Sequence, residues 1–189
     1  FGYSVRQSKV HLVTSEMAAN AMLAYQKMQE NGYKRIGMVS QHSHDQNTRH
    51  NTRACFKAAE DIYSEPDQHI PPLFFKNDDL EESFEAFQIW LNRYRPDAIL
   101  SSTAIVKELL DRLQLKVPQD IAVAVTSILD AHFDTGIDQK SYEIGRVAVS
   151  KLAGLINENE TGLPQTIRRT AIEGIWVQGS SCPPKETTT

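Results

Sequence analysis

The 189-residue chain carries 40% hydrophobic and 23% charged residues, the balance of a globular protein able to bury a sizeable core. Its net charge of −4 comes without any basic cluster, which argues against this chain gripping nucleic acid by itself. No apolar run is long enough to span a membrane, no export signal is visible, and Cys55 and Cys182 make no disulfide framework, so a reducing, cytoplasmic compartment is expected.

The first segment, FGYSVRQSKVHLVTS, has no helical period, and residues 10–13 suit a strand or an extended connection. Ser15 can cap the helix that follows, with Glu16 complementing its dipole. Ala18, Met22, Leu23 and Met28 give that helix an apolar face, and Asn31 with Gly32 ends it. RIGMVS (35–40) reads as a strand, and QHSHDQNTRHN as a polar, histidine-rich loop. A further helix runs through Ala54, Phe56, Ala59 and Ile62. Residues 73–75 read as another short strand, with Pro71 and Pro72 at its very start or at a sheet edge. Asp78 or Asp79 can cap the next helix, whose buried side carries Phe84, Phe87, Trp90 and Leu91.

Residues 96–127, PDAILSSTAIVKELLDRLQLKVPQDIAVAVTS, are the unit around which the chain is organised. Two short apolar runs, 97–101 and 121–125, suit strands covered on both faces. Between them Ser102 or Thr103 can cap a helix with Ile105, Val106, Leu109, Leu110 and Leu113 on one stripe, stopped by Val117 and Pro118. Two parallel strands joined by an amphipathic helix make a βαβ unit. Residues 128–140 read as irregular. Residues 141–158 are a strong helix with Ile144, Val147, Ala148, Leu152, Leu155 and Ile156 in step. Residues 166–177 alternate as a terminal strand, and SSCPPKETTT reads as a disordered tail. The alternation of strands and helices points to an open parallel α/β sheet with helices on both faces.

The succession NGYKRIGMVS, RPDAILSS, LKVPQDIAVAV and GIDQKSYEIGRVAVSKLAGLI resembles the effector-binding domain of the LacI/GalR family of transcription regulators, over about residues 13–177. GYKRIG after a helix, KVPQDIAVAV, and the stretch with Tyr142, Glu143, Gly145, Arg146 and Ala148 carry the likeness together, and EGIWVQGSS fits its close. The resemblance implies a type I periplasmic-binding-protein-like fold of two Rossmann-like lobes with a small effector, a sugar or sugar-like molecule, in the cleft between them. Residues 1–177 would be mostly the second lobe, with parts of the first at about 1–13 and 135–160, and residues 178–189 the tail. It also implies a cytoplasmic homodimeric repressor that meets DNA only through a module outside this chain. The helix at 141–158 would normally cover the first-lobe sheet; without that sheet its apolar face is exposed or packs on another chain.

Where many members of that family place an Asn-Asp pair this chain has Thr103 and Ala104, and where many place an acidic residue it has Ser127. Serine and threonine still hydrogen-bond a ligand, with shorter reach. An arginine early in the helix after the first strand often anchors the effector; Arg49 and Arg53 are the candidates. Phe133, Asp138 and Gln139 lie where a lobe crossover is expected and are further ligand candidates. Trp176 is a core or lobe-interface aromatic, or lines the cleft.

The enzyme alternative is a metal-dependent hydrolase. His42 and His44, two apart at the end of a strand, can point the same way and chelate an ion, with Asp45 as a third ligand. No second His, Asp and Glu cluster accompanies them; His69 and His132 stand alone. The nine glycines are scattered without a phosphate loop, and no serine sits in a nucleophile-elbow context. A non-enzymatic domain without cofactor is therefore expected, acting as an effector sensor or as a solute-binding protein of the same fold.

Overall fold

The computed structural model describes residues 9–76, 79–129 and 132–186. In chain order the elements are β1 (Leu12–Ser15), α1 (Met17–Glu30), β2 (Ile36–Gln41), α2 (His42–Asn47), α3 (Asn51–Tyr63), β3 (Leu73–Phe75) and α4 (Leu80–Tyr94). Then follow β4 (Ala98–Ser101), α5 (Ile105–Arg112), β5 (Ala122–Val125), β6 (Gly136–Asp138), α6 (Ser141–Asn157), β7 (Arg169–Ile172) and β8 (Ile175–Val177). Six strands form one sheet in the order β3-β2-β4-β5-β6-β8, parallel except for the antiparallel β6–β8 pair. β1 and β7 form a separate parallel pair.

The sheet separates two cores because successive strand residues point to opposite faces. Met38, Leu100 and Ala124 meet Tyr25 and Met28 of α1 and Phe56 of α3. Val39, Ile99 and Val123 meet Phe87 and Trp90 of α4 and Val106 and Leu109 of α5. Both faces are thus covered by helices, as the apolar, non-alternating strands required.

Several local expectations change. Ser15 belongs to β1, where its Oγ accepts from Asn20 Nδ2 at 2.8 Å; Glu16 takes the cap and accepts from the Ala18 N–H at 3.3 Å. Asp79 caps α4 through the Glu82 N–H at 2.9 Å, and the alternative, Asp78, lies outside the described residues. Helix α5 begins after Ala104 with no side-chain cap, and it ends at Arg112, well before Val117 and Pro118. Gln114, in the left-handed region at φ 58°, turns the chain away. The stretch expected as irregular contains β6, and the expected terminal strand is two strands in different sheets. They break at Gly174, where a Cβ would lie 2.5 Å from Ile137 Cγ2.

Helix α6 keeps the expected period but buries only one side. Ile144 is 6% exposed, whereas Leu152 and Ile156 are 58% and 66% exposed.

The supposed tail is packed as far as it is described. Cys182 is fully buried, the Val123 N–H donates to the Ser181 carbonyl at 2.8 Å, and Tyr33 Oη donates to the Pro183 carbonyl at 2.8 Å. Composition alone suggested disorder, but the polar groups find partners on the sheet. Burial pushes the Cys182 thiol up to about 12, so it is a protonated core residue at neutral pH. Asp134 clasps the segment, accepting from the Ser180 and Ser181 N–H groups at 2.8 Å each. Burial opposes its charge, yet these hydrogen bonds outweigh it and hold the carboxyl well below the usual carboxylate range.

A depressed folded-state pKa stabilises the fold above the unfolded value of about 3.9, and that contribution is lost as pH falls through the folded value. Acidification below about pH 4 is expected to lower the melting temperature, with Asp134→Asn removing part of that dependence. The variant should also lower the melting temperature at neutral pH, by less than a buried clasp would because solvent screens the exposed carboxylate. An unchanged acid profile in the variant would sink the clasp.

Candidate functional site

Strand β2 is followed in the chain by β3 on one side of it, and then by β4 on the other. The winding direction therefore reverses between β2 and β4, and in open parallel sheets ligands enter the crevice at the carboxyl ends beside such a reversal. Here those ends carry hydroxyls. Ser40 is buried, and Ser102 Oγ donates to Ser40 Oγ at 2.6 Å. On the far side of β4 the Thr126 N–H donates to the Ser101 carbonyl at 2.9 Å, and Gln139 Nε2 donates to the Thr126 carbonyl at 2.8 Å. A polar row thus runs along the sheet edge from Ser40 to Gln139. A cleft of about 630 Å³, lined by Gln41, Ser102, Thr103, Lys107 and His132, opens beside it and shares Ser102 with it. A larger groove of about 900 Å³ lies between α6 and Val10, His11 and Val13, away from this row. Size alone favours the groove, but the cleft lies beside the strand reversal and carries Gln41, Ser102, Thr103 and His132, which makes it the candidate site.

Beside β2, outside that cleft's lining, lies α2, with α3 packed against it. Asp45 is 3% exposed, and its Oδ2 lies 2.7 Å from His50 Nδ1 and 3.6 Å from Arg53 Nη2. The Arg53 guanidinium stacks 5.3 Å over the Phe74 ring, a cation–π contact, and the His42 ring lies 5.5 Å from the same ring. Phe74 is the β3 partner of Ser40, so this cluster sits one strand from the hydroxyl pair.

The expected ligand residues are distributed as follows. Thr103 lines the cleft, and Ser127, half-buried, directly follows Thr126. Gln139 closes the row. Asp138 is held below the usual carboxylate range by the Lys140 ammonium at 2.9 Å and the Lys140 N–H at 2.8 Å. Arg49 is exposed in the left-handed turn between α2 and α3, while Arg53 is half-buried against Asp45 and Phe74. Phe133 is 8% exposed and packed in the core with Val125, away from the cleft lining. Trp176 packs against the α1 core. Sequence reasoning missed Ser40, Ser102, Asp45 and Phe74 as neighbours. The signal was present in the serine that ends RIGMVS, but the strand order that makes it a switch-point residue is not local.

The metal reading does not survive this geometry. The histidine-rich stretch is the helix α2, where residues two apart diverge by roughly 200° instead of sharing a face. Among the described residues, the group whose ligating atoms come together is Glu60, Asp61 and His69. There Lys57 Nζ already lies 2.7 Å from Glu60 and 3.3 Å from Asp61, so an ammonium fills the position of an ion.

A family model described as the periplasmic binding protein-like domain matches residues 25–182. The chain belongs to that family. Similar solved structures include a LacI family transcriptional regulator from Enterococcus faecium with bound ribose. It is 15% identical with a TM-score of 0.71, over 97% of this chain and 69% of that one. A complex of the transcriptional regulator CelR with cellobiose is 19% identical with a TM-score of 0.68, over 94% of this chain and 56% of that one. A LacI family regulator from Enterococcus faecalis V583, also with ribose, is 12% identical with a TM-score of 0.69, over 97% and 67%. At such identities the likeness establishes the fold. This periplasmic binding protein-like chain spans between 56% and 69% of those proteins' length. No curated protein matches it. Among the described residues no helix is long and apolar enough to cross a membrane.

Proposed function

We propose that this chain is the effector-sensing domain of a LacI-type transcription regulator, and not an enzyme. It binds a small sugar-like molecule at the carboxyl edge of the main sheet. The observation that carries the reading is the polar row from Ser40 to Gln139 across the switch point, in a fold whose solved likenesses hold ribose or cellobiose. Ser102, Thr103, Ser127 and Gln139 supply hydroxyl and amide partners, and Arg53 and Arg49 supply guanidinium groups. The mechanism is a population shift: an effector that prefers one lobe arrangement changes how a homodimer presents DNA-binding modules lying outside these residues. A solute-binding protein of the same fold is distinguished by an export signal, in place of a helix-turn-helix, encoded upstream.

Ligand binding to the native state raises the melting temperature by mass action. Ribose, cellobiose and related sugars are expected to include at least one that does so. Ser102→Ala should weaken it about tenfold, the loss of one good hydrogen bond, while the unliganded melting temperature changes little. No shift with any sugar or sugar derivative would remove the reading.

A further inference from the structure

A further cavity, of about 310 Å³, lies at the amino end of the main sheet, where α4 and α5 finish and the chain enters β4 and β5. Its floor is apolar. Ile121 is 4% exposed, and Leu91, Leu113 and Leu115 are half-buried against the core that α4 and α5 share. Its rim carries two opposite charges, Arg95 and Asp120.

The backbone sets both charges in place. Arg95 lies in the left-handed region at φ 47° and its N–H donates to the Leu91 carbonyl at 2.9 Å, which stops α4 at the rim. Its guanidinium is exposed and makes no ion pair among the described residues. Asp120 is also exposed. Its Oδ2 accepts from the Lys116 N–H at 2.7 Å and so ties the loop before β5, while Oδ1 has no hydrogen-bond partner among the described residues. The strands that follow are neighbours, with Ala98 and Ala122 in register and about 4.8 Å between strand axes. Arg95 and Asp120 therefore edge one small cavity without pairing with each other. A free cation and a half-used carboxylate above a leucine floor match a molecule that carries both charges beside an apolar group.

We propose that this cavity binds a free α-amino acid with an aliphatic side chain, such as leucine. The Arg95 fork takes its carboxylate, Asp120 Oδ1 takes its ammonium group, and its side chain rests on Leu91, Leu113 and Leu115. The volume falls at the lower end of the range of about 300–1,000 Å³ for small-molecule sites, a size for one amino acid and not for an oligosaccharide. The site is separate from the sugar cleft. That cleft opens at the carboxyl ends of the strands, and the four residues of β4 set the two ends about 13 Å apart.

Calorimetric titration of the full chain with leucine and three analogues tests it. Leucinamide lacks the carboxylate, isocaproate lacks the ammonium group, and glycine lacks the side chain. Leucine is expected to bind at least about tenfold more tightly than each of them. Arg95→Gln and Asp120→Asn should each weaken leucine about tenfold. Neither should change the unliganded melting temperature much, since the Arg95 side chain is unpaired and asparagine still accepts from the Lys116 N–H. Leucinamide or isocaproate binding within about threefold of leucine would overturn the two-charge assignment, and glycine doing so would overturn the apolar floor. Leucine binding that survives both substitutions would place the amino acid elsewhere and overturn the site. Absence of binding by leucine, isoleucine, valine and methionine would overturn the proposal as a whole, with the sugar cleft unaffected.

Discussion

Gly136→Ala is expected to cost about 3–5 kcal/mol, enough to leave the chain largely unfolded at ambient temperature. Gly136 opens β6 with φ +152°, a backbone conformation that side chains rarely adopt. A Cβ there would lie 2.1 Å from the Val125 carbonyl oxygen and 2.7 Å from the Val125 nitrogen, backbone atoms of a central strand that cannot step aside. The same substitution at Gly145, in α6 with nothing within 4 Å of the added carbon, should stabilise by about 0.5–1 kcal/mol through helix propensity. Urea unfolding of the two variants checks both signs. A mild effect at Gly136 would mean that β5 and β6 do not approach as described.

Trp90→Ala is expected to cost about 3–5 kcal/mol, the usual loss for a large aromatic removed from a core. Trp90 is 5% exposed, stacks on Phe87 with ring centres 6.2 Å apart, and donates its indole N–H to the Pro71 carbonyl at 2.7 Å. It also lies over Gly37, where a Cβ would fall 2.3 Å from Trp90 Cη2. Gly37→Ala alone should therefore cost about 1–3 kcal/mol by overpacking. Since the indole is what the new methyl meets, the double variant should be less destabilised than the two single losses added together. Strict additivity in that cycle would break the contact between β2 and α4.

Much of the architecture was legible because it depends on local apolar spacing. The runs RIGMVS and IAVAV suit covered strands, and the stripe from Ile105 to Leu110 suits a helix facing a sheet, as found. What failed was decided elsewhere in the molecule. Ser15, Ser102 and Thr103 look like helix caps, but Asn20 claims the first and Ser40 the second, while Thr103 lies outside α5, whose start has no side-chain cap. The polar composition of residues 180–186 hid a segment that Asp134, Tyr33 and Asn31 hold against the sheet. At the candidate site, the family resemblance points to Thr103 and to Arg49 or Arg53 without separating the two arginines, and chain position points to Gln139. Their arrangement could not be read in this way, because Asp45, Phe74 and Ser40 become neighbours only through strand order.

The two outer strands of the main sheet bear on how the protein behaves at high concentration. Exposed strand edges template the addition of further chains, and short or proline-flanked edges resist it. One border is β3, three residues long and preceded by Pro71 and Pro72, which offer no N–H. The other is β8, also three residues, and it runs against its neighbour, so the parallel ladder stops there. Neither border can accept a long incoming strand. The main sheet is guarded against amyloid-like growth at both ends by the brevity of the strands that close it.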